Sequence, residues 1–260
     1  MTARSSTRRV APDATVELRH VEDAMGTVFS ITVVGPDTAT VRLQAAVVRA
    51  VAWLHEVDDR FTTYRADSAW LRLVRGELAT ADAHPDIRHV VSTCDALAHG
   101  TAGAFAIDAD PHRPADPAAY VKGWAIQRAA DLLADAGASA ACVNGGGDVA
   151  VRGGDRPWRI GIQDPFARDS VLGVIELREG GVATSGRYER GDHLFGPRGE
   201  AATAFAGVTV VGPDLGLADA YATALFAGGP SATGWFDPLT EYHAYLVHPD
   251  RTTATIGWNR

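Results

Sequence analysis

Cysteine is scarce in this chain: two residues among 260, Cys94 and Cys142, far apart and without zinc-ligand or disulfide spacing. That excludes a disulfide scaffold and leaves two buried thiols in a reducing compartment as the expectation. The nine histidines include no H-E-x-x-H pair, so nothing supports a zinc protease. No run of about 18 apolar residues is present to span a bilayer. The basic, Ser/Thr-rich start MTARSSTRRV is followed by no apolar stretch of the kind a secretory signal carries. The expectation is a cytoplasmic protein without a membrane partner, with a disordered tail over 1–14. Positive charge is also short: 24 Lys and Arg face 32 Asp and Glu, for a formal net charge of −8. Beyond Arg8-Arg9 there is no basic cluster, which argues against a nucleic-acid surface and says nothing against a nucleotide.

What is present is an ordinary globular composition, 46% hydrophobic and 22% charged, enough for one large domain or two closely packed lobes. Alternation predicts strands over Val16–His20 and Thr27–Val34 around a turn at Met25-Gly26. Helical spacing follows over Asp37–Asp59, then an exposed loop at Phe61–Arg65, a short helix opened by Asp67-Ser68, and a helix over Pro85–Gly100. Gly103–Pro117 reads as loop. Val121–Ala136 is an amphipathic helix, with Val121, Ala125, Leu132 and Leu133 on its apolar side and Gln127, Arg128, Asp131 and Asp135 on its polar side. Ala140–Val143 and Val149–Arg152 flank a glycine turn. Trp158–Gln163, Val171–Leu177, Phe205–Val211, Tyr242–Val247 and Thr252–Trp258 are further strands, the last two forming a hairpin. Strands rich in hairpin connections and interspersed with helices predict an α+β fold rather than a doubly wound parallel sheet.

The segment around which the rest is organised is Leu215–Gly229. Leu217, Ala220, Tyr221 and Ala224 form one apolar stripe, and Ala222 and Phe226 make the other face apolar too. Asp219 is its single charge, with Thr223 one turn on. A buried ionised carboxylate must be paired, hydrogen-bonded or metal-bound, because stranding it costs several kcal/mol or more. Asp219 either caps a neighbouring loop or joins Thr223 as oxygen ligands for a hard cation such as Mg2+ or Ca2+.

Three other segments carry candidate chemistry. Asn144-Gly145-Gly146-Gly147-Asp148 is either a backbone cradle for a phosphate or flat ring, or a turn requiring positive φ. It lacks the G-x-G-x-x-G spacing of a dinucleotide fold. Asp116-Pro117 resembles a helix start, and Lys122-Gly123 just inside it either holds an anion or is simply solvated. Thr184-Ser185-Gly186 offers hydroxyls and amides, with His193 a base near neutral pH; a Ser-His-Asp hydrolase would need a G-x-S-x-G elbow that is missing.

Taken together, these segments resemble the ApbE family of FAD:protein FMN transferases. The resemblance runs through Met25-Gly26-Thr27, then Phe61–Ser68 (F-T-T-Y-R-A-D-S against the family's F-S-T-Y-R-x-D-S) and Gly103-Ala104-Phe105. It continues through Asp116–Trp124, Val143–Asp148, Pro157–Ile162, Val182–Gly186 and Ala218–Leu225. It implies an ApbE-like, T-fold-like α+β domain over 15–260, of mixed, largely antiparallel sheets flanked by helices. It implies Mg2+-dependent cleavage of the FAD pyrophosphate, with FMN passed to a Thr or Ser hydroxyl of an acceptor protein and AMP released. The metal would be held by the Ala119 carbonyl and the Asp219 and Thr223 side chains. FAD would be contacted by Met25, Tyr64, Ala104, Phe105, Ala106, Asp116, Lys122 and Phe195. His193 would be the base for the incoming hydroxyl, with Asp219 as its catalytic partner through the metal.

The chain departs from the family in placing Ala106 where an Asp is usual, with Asp108 two residues later, and Gly196 where another Asp is usual. The segment between Phe105 and Asp116 is shorter and proline-rich. These departures fall on the flavin side and near the acceptor site. They keep two alternatives in view: a metal-dependent FAD pyrophosphatase releasing FMN and AMP, and a non-catalytic FAD-binding protein.

Overall fold

The alternation near the N-terminus builds a long hairpin, β1 (Thr15–Ala24) and β2 (Thr27–Pro36), paired from Thr15↔Pro36 to Ala24↔Thr27. Its two-residue turn takes φ of 50° at Met25 and 69° at Gly26, the left-handed geometry that matches the twist of paired strands. In this computed structural model the chain is described over residues 14–109, 114–155, 157–186 and 202–258. The expected tail over 1–14, and the predicted site residues His193 and Phe195, lie outside these residues except for Ala14.

Further strands are β3 (Ala140–Gly145), β4 (Asp148–Gly153), β5 (Trp158–Asp164), β6 (Ala167–Leu177) and β7 (Gly180–Gly186). β8 (Gly207–Gly212), β9 (His243–Val247) and β10 (Thr253–Ile256) complete the set. Eight of them form one sheet in the order β1-β2-β3-β4-β7-β8-β9-β10, and β5 and β6 pair as a separate ribbon. Every pairing is antiparallel, as the hairpin-rich reading predicts.

Among the described residues the α-helices are α1 (Thr40–Phe61), α2 (Ala69–Val74), α3 (Pro85–Gly100), α4 (Ala118–Asp135), α5 (Leu215–Gly228) and the short α6 (Thr233–Phe236). α4 packs on β3 and β4, α5 on β7 and β8, and α1 on α4. The main core lies between these helices and the sheet, and includes Phe29, Ile31, Leu54, Ile126, Leu133, Val208 and Phe226. A smaller apolar cluster of Ile162, Ile175, Val182 and Val211 seats the β5–β6 ribbon on the opposite face. None of the helices among the described residues is long and apolar enough to cross a membrane.

Several sequence expectations are corrected. The segment Gly180–Gly186, absent from the predicted strands, is a strand. It shows no alternation because α5 covers one of its faces and the ribbon the other. Phe61 ends α1 and is 5% exposed, so the exposed loop begins after it. α4 starts at Ala118 rather than Val121, with Pro117 in the cap position and the Asp116 carboxylate accepting the Ala118 N–H at 2.9 Å. Gln127 is no surface residue: its Oε1 accepts the Leu215 N–H at 2.6 Å and its Nε2 donates to Asp214 Oδ2 at 3.3 Å. Asp214 in turn caps α5, its Oδ1 accepting the Leu217 N–H at 2.8 Å. A residue on the supposed wet side of α4 thus fixes where α5 begins.

Candidate active site

Helix α5 is as buried as its composition implies, with Asp219 2% exposed among alanines and Phe226. It lies against α4 at Gly123. A Cβ built there would stand 2.4 Å from Leu215 O and 3.0 Å from Asp219 Cβ, so only glycine permits this approach. The closeness gives the acid its first partner: the Gly123 N–H donates to Asp219 Oδ2 at 3.2 Å. Ala119 lies one turn before Gly123 in α4, so the three metal-ligand candidates come from two helices in direct contact.

The Lys122 ammonium stands between two buried carboxylates. It lies 3.7 Å from Asp219 Oδ2 and makes its closest ion pair with Asp148 Oδ2. The Asp148 side chain is fully buried and that of Lys122 only 12% exposed. Two carboxylates thus face one ammonium in the interior.

Asp148 is a residue the sequence did not single out. It opens β4 immediately after the turn glycines Gly146 (φ 60°) and Gly147 (φ 93°), so the Asn144–Asp148 segment is a tight β-hairpin turn. Its Oδ1 accepts the Thr184 N–H at 3.1 Å, beyond the point where β4 and β7 stop pairing at Val149↔Val182. The signal in the sequence was an acid placed next to an apolar strand, read there as part of the turn.

Thr223, one turn beyond Asp219, meets Ser185 of β7 with the hydroxyls 3.1 Å apart. On the other face of β7, the Thr184 and Thr209 hydroxyls are 2.9 Å apart. Six buried polar or charged residues occur among those described, and four of them, Asp148, Ser185, Thr209 and Asp219, lie on the neighbouring elements β4, β7, β8 and α5. Such a concentration in an apolar interior marks a site rather than scattered structural polar groups. Among the described residues no three His, Cys, Asp or Glu side chains converge on a metal-sized space. A cation here would rest instead on one carboxylate, one hydroxyl and one carbonyl, the oxygen-only set of a hard ion that keeps much of its water.

The predicted flavin contacts are more dispersed. Ala104 and Phe105 are buried, at 9% and 2% exposure, and Ala104 lies beside Gly228 at the end of α5. Ala106 is exposed. Asp116 is half-buried, with one oxygen engaged by α4 as described. Tyr64 is 85% exposed on the loop after α1. Met25 is tied to the same end of α1, its N–H donating to Asp58 Oδ2 at 2.8 Å. An apolar groove lined by Ile162, Leu177, His243, Tyr245 and Trp258 shares no residue with the acid network.

A helix-backed antiparallel sheet enclosing an acid–ammonium–acid group defines the architectural class. The profile of the ApbE family matches residues 25–113 and 109–245, and the chain belongs to that family. An FAD:protein FMN transferase of Rhodobacter capsulatus is 37% identical over 139 residues, 49% of this chain and 26% of that protein. Another, from Klebsiella pneumoniae (strain 342), is 32% identical over 123 residues, 42% of this chain and 35% of that protein. The matched segments thus span well under half of these curated relatives. The fold is that of the ApbE protein of Thermotoga maritima, with a TM-score of 0.77 at 21% identity over 93% of this chain and 97% of that one. The flavin transferase ApbE of Vibrio cholerae gives a TM-score of 0.75 at 21% identity over the same shares.

Proposed function

We propose that this protein is an FAD:protein FMN transferase acting with Mg2+ on a cytoplasmic acceptor. The observation that carries the reading is the Asp219 carboxylate, buried in an apolar helix beside Lys122 and one turn from Thr223. Oxygen donors beside an ammonium would suit a divalent cation together with a diphosphate. Membership of the ApbE family and the names of the related proteins support the same activity.

In this reading Asp219, Thr223 and the Ala119 carbonyl would hold the ion. When bound, it supplies Lewis-acid polarisation of the phosphate oxygens and charge neutralisation. Lys122 offers the diphosphate a point charge. Tyr64, exposed and unencumbered by core packing, stacks on a flavin or adenine ring, and Ala104, Phe105 and Met25 line the flavin side. The acceptor Thr or Ser hydroxyl oxygen attacks the FMN phosphorus and forms the new phosphoester bond. The bridging P–O bond breaks, and AMP leaves with its electron pair. His193 takes the hydroxyl proton; this role, like that of Phe195 on the flavin, rests on the family resemblance.

The test is mass spectrometry of a flavin-accepting domain incubated with the protein, FAD and Mg2+. Gain of the mass of FMN on a Thr or Ser is expected. Asp219→Asn, which preserves an acceptor for the Gly123 N–H, should slow labelling by at least about a hundredfold with the fold retained. Labelling at the unaltered rate by that variant would end the proposal. Rapid AMP release without any acceptor would instead identify a pyrophosphatase, and tight FAD binding without AMP release a flavin carrier.

A further inference from the structure

Helix α1 turns one apolar face to the core and a second to solvent. Leu43, Ala46, Ala50, Leu54, Val57 and Phe61 make the buried face. On the opposite side Val41, Ala45, Val48 and Ala52 are all exposed, the two valines at 80% and 69%. Their spacing of four, three and four residues confines them to about 60° of the helix circumference, on a line about 16 Å long. A surface helix ordinarily carries polar residues there. α3 does so: at the same spacing its exposed line reads Arg88, Ser92, Asp95 and His99. Four apolar residues aligned over about three turns have the spacing of a helix–helix seam, unlike surface valines scattered singly.

The charge beside this seam selects its occupant. Arg42 and Arg49 are exposed on one flank of it, and neither guanidinium has a carboxylate partner among the described residues. A second copy of α1 complements them poorly. The antiparallel register that seats Val41 on Ala52 and Ala45 on Val48 brings Arg42 of each copy beside Arg49 of the other, which places like charges together. A helix with carboxylates flanking its own apolar line pairs both guanidinia instead. The chain carries a formal charge of −8, so its overall field repels an acidic partner and a local basic flank must hold it.

We propose that the outer face of α1 is a docking surface for an amphipathic helix of another protein, one whose apolar line is flanked by Asp or Glu. Val41 and Val48 supply the apolar contact. Arg42 and Arg49 set the orientation and select against basic partners. The surface shares no residue with the acid network, so the inference stands apart from the metal reading.

Two synthetic amphipathic peptides of about four heptads serve as probes. Both carry leucine along the seam; one has glutamate and the other lysine at the flanking positions. Fluorescence anisotropy of each labelled peptide with the full chain reads binding. The glutamate peptide should bind at least about tenfold more tightly than the lysine peptide at low salt, and salt of about 1 M should remove most of the difference. Val48→Glu should weaken binding of the glutamate peptide at least about tenfold, the worth of burying one valine. Arg42→Glu/Arg49→Glu should reverse the preference between the peptides. All three substituted positions are exposed, so the urea midpoint should stay unchanged.

Equal binding of the two peptides, or binding of neither, would overturn the proposal. So would a Val48→Glu chain that takes the glutamate peptide as tightly as the unaltered one. Self-association in sedimentation equilibrium that Val48→Glu abolishes would assign the face to a second copy and overturn it as well.

Discussion

Met25 and Asp58, 33 residues apart, are joined by a hydrogen bond of 2.8 Å from the Met25 N–H to Asp58 Oδ2. Met25 is one of the few non-glycine residues with positive φ, at 50°, a conformation that costs an ordinary side chain about 1 kcal/mol. The acceptor on α1 offsets that cost and fixes the hairpin tip against the same end of the helix that leads to Tyr64.

Asp58→Ala should therefore lower stability by about 1.5–3 kcal/mol, the range for a hydrogen bond to a charged group. Adding Met25→Gly should recover about 1 kcal/mol, because glycine takes the left-handed conformation without strain. Urea unfolding of the two variants checks both signs, and a Met25→Gly that deepens the loss would show that side-chain packing, not backbone strain, governs the tip.

Gly123→Ala places a methyl group against Leu215 O at 2.4 Å, and backbone cannot move aside as a flexible side chain would. The expected cost is about 3 kcal/mol, at the upper end for overpacking. Because α4 and α5 are pushed apart at Asp219, Mn2+ affinity should fall together with the denaturation midpoint. A variant that loses stability but binds Mn2+ normally would separate the helix contact from the site.

Tyr64→Ala should do the reverse. At 85% exposure the ring contributes little to the folded state, so stability should change by less than about 0.5 kcal/mol. Stacking of an aromatic side chain on a flat base is worth about 1–3 kcal/mol, so FAD affinity should fall about tenfold or more. Quenching of flavin fluorescence on titration measures it, and equal affinity would remove Tyr64 from the ligand's path.

Burial pushes the Cys94 thiol up to about 12, with Asp95 adding to the effect, and burial pushes Cys142 up to about 11. Both groups favour the neutral form when folded, so their contribution to stability is complete below the unfolded value of about 8.5. It is lost as pH rises toward 11 and then 12. At pH 8 the thiolate fraction of folded Cys142 is on the order of one in a thousand. Ellman's reagent should titrate almost no thiol in the native protein and two after denaturation. Fast native reaction at pH 8 would mean that the strand carrying Cys142 opens readily.

Much of this architecture is written locally. The span Pro85–Gly100 was legible to the residue, because proline at its start and glycine at its end are backbone signals that need no tertiary context. The acid in Leu215–Gly228 was legible as well, since a helix apolar on every side leaves a charge nowhere to hide. Gly180–Gly186 was illegible for the opposite reason. Period-two alternation exists only where one face is wet, and both faces of this strand are covered. Asp148 and Gln127 escaped because a polar residue beside a turn, or on the outer side of an amphipathic pattern, looks the same whether water or a distant side chain receives it. His193 and Phe195 fall outside the described residues, and their roles stand where the family resemblance left them.

The pairing of β2 with β3 sets Phe29 opposite Gly145, a separation of 116 residues (145 − 29). The leading hairpin therefore leaves the ribosome long before its inner neighbour exists, with Phe29, Ile31 and Val33 still waiting for the cover that makes them fully buried. Closure over so long a stretch of chain makes folding slow, and the waiting strand offers nascent polypeptides a place to adhere. Chaperone demand during synthesis is thus built into the topology, and moving the chain ends so that β2 is translated next to β3 would shorten it.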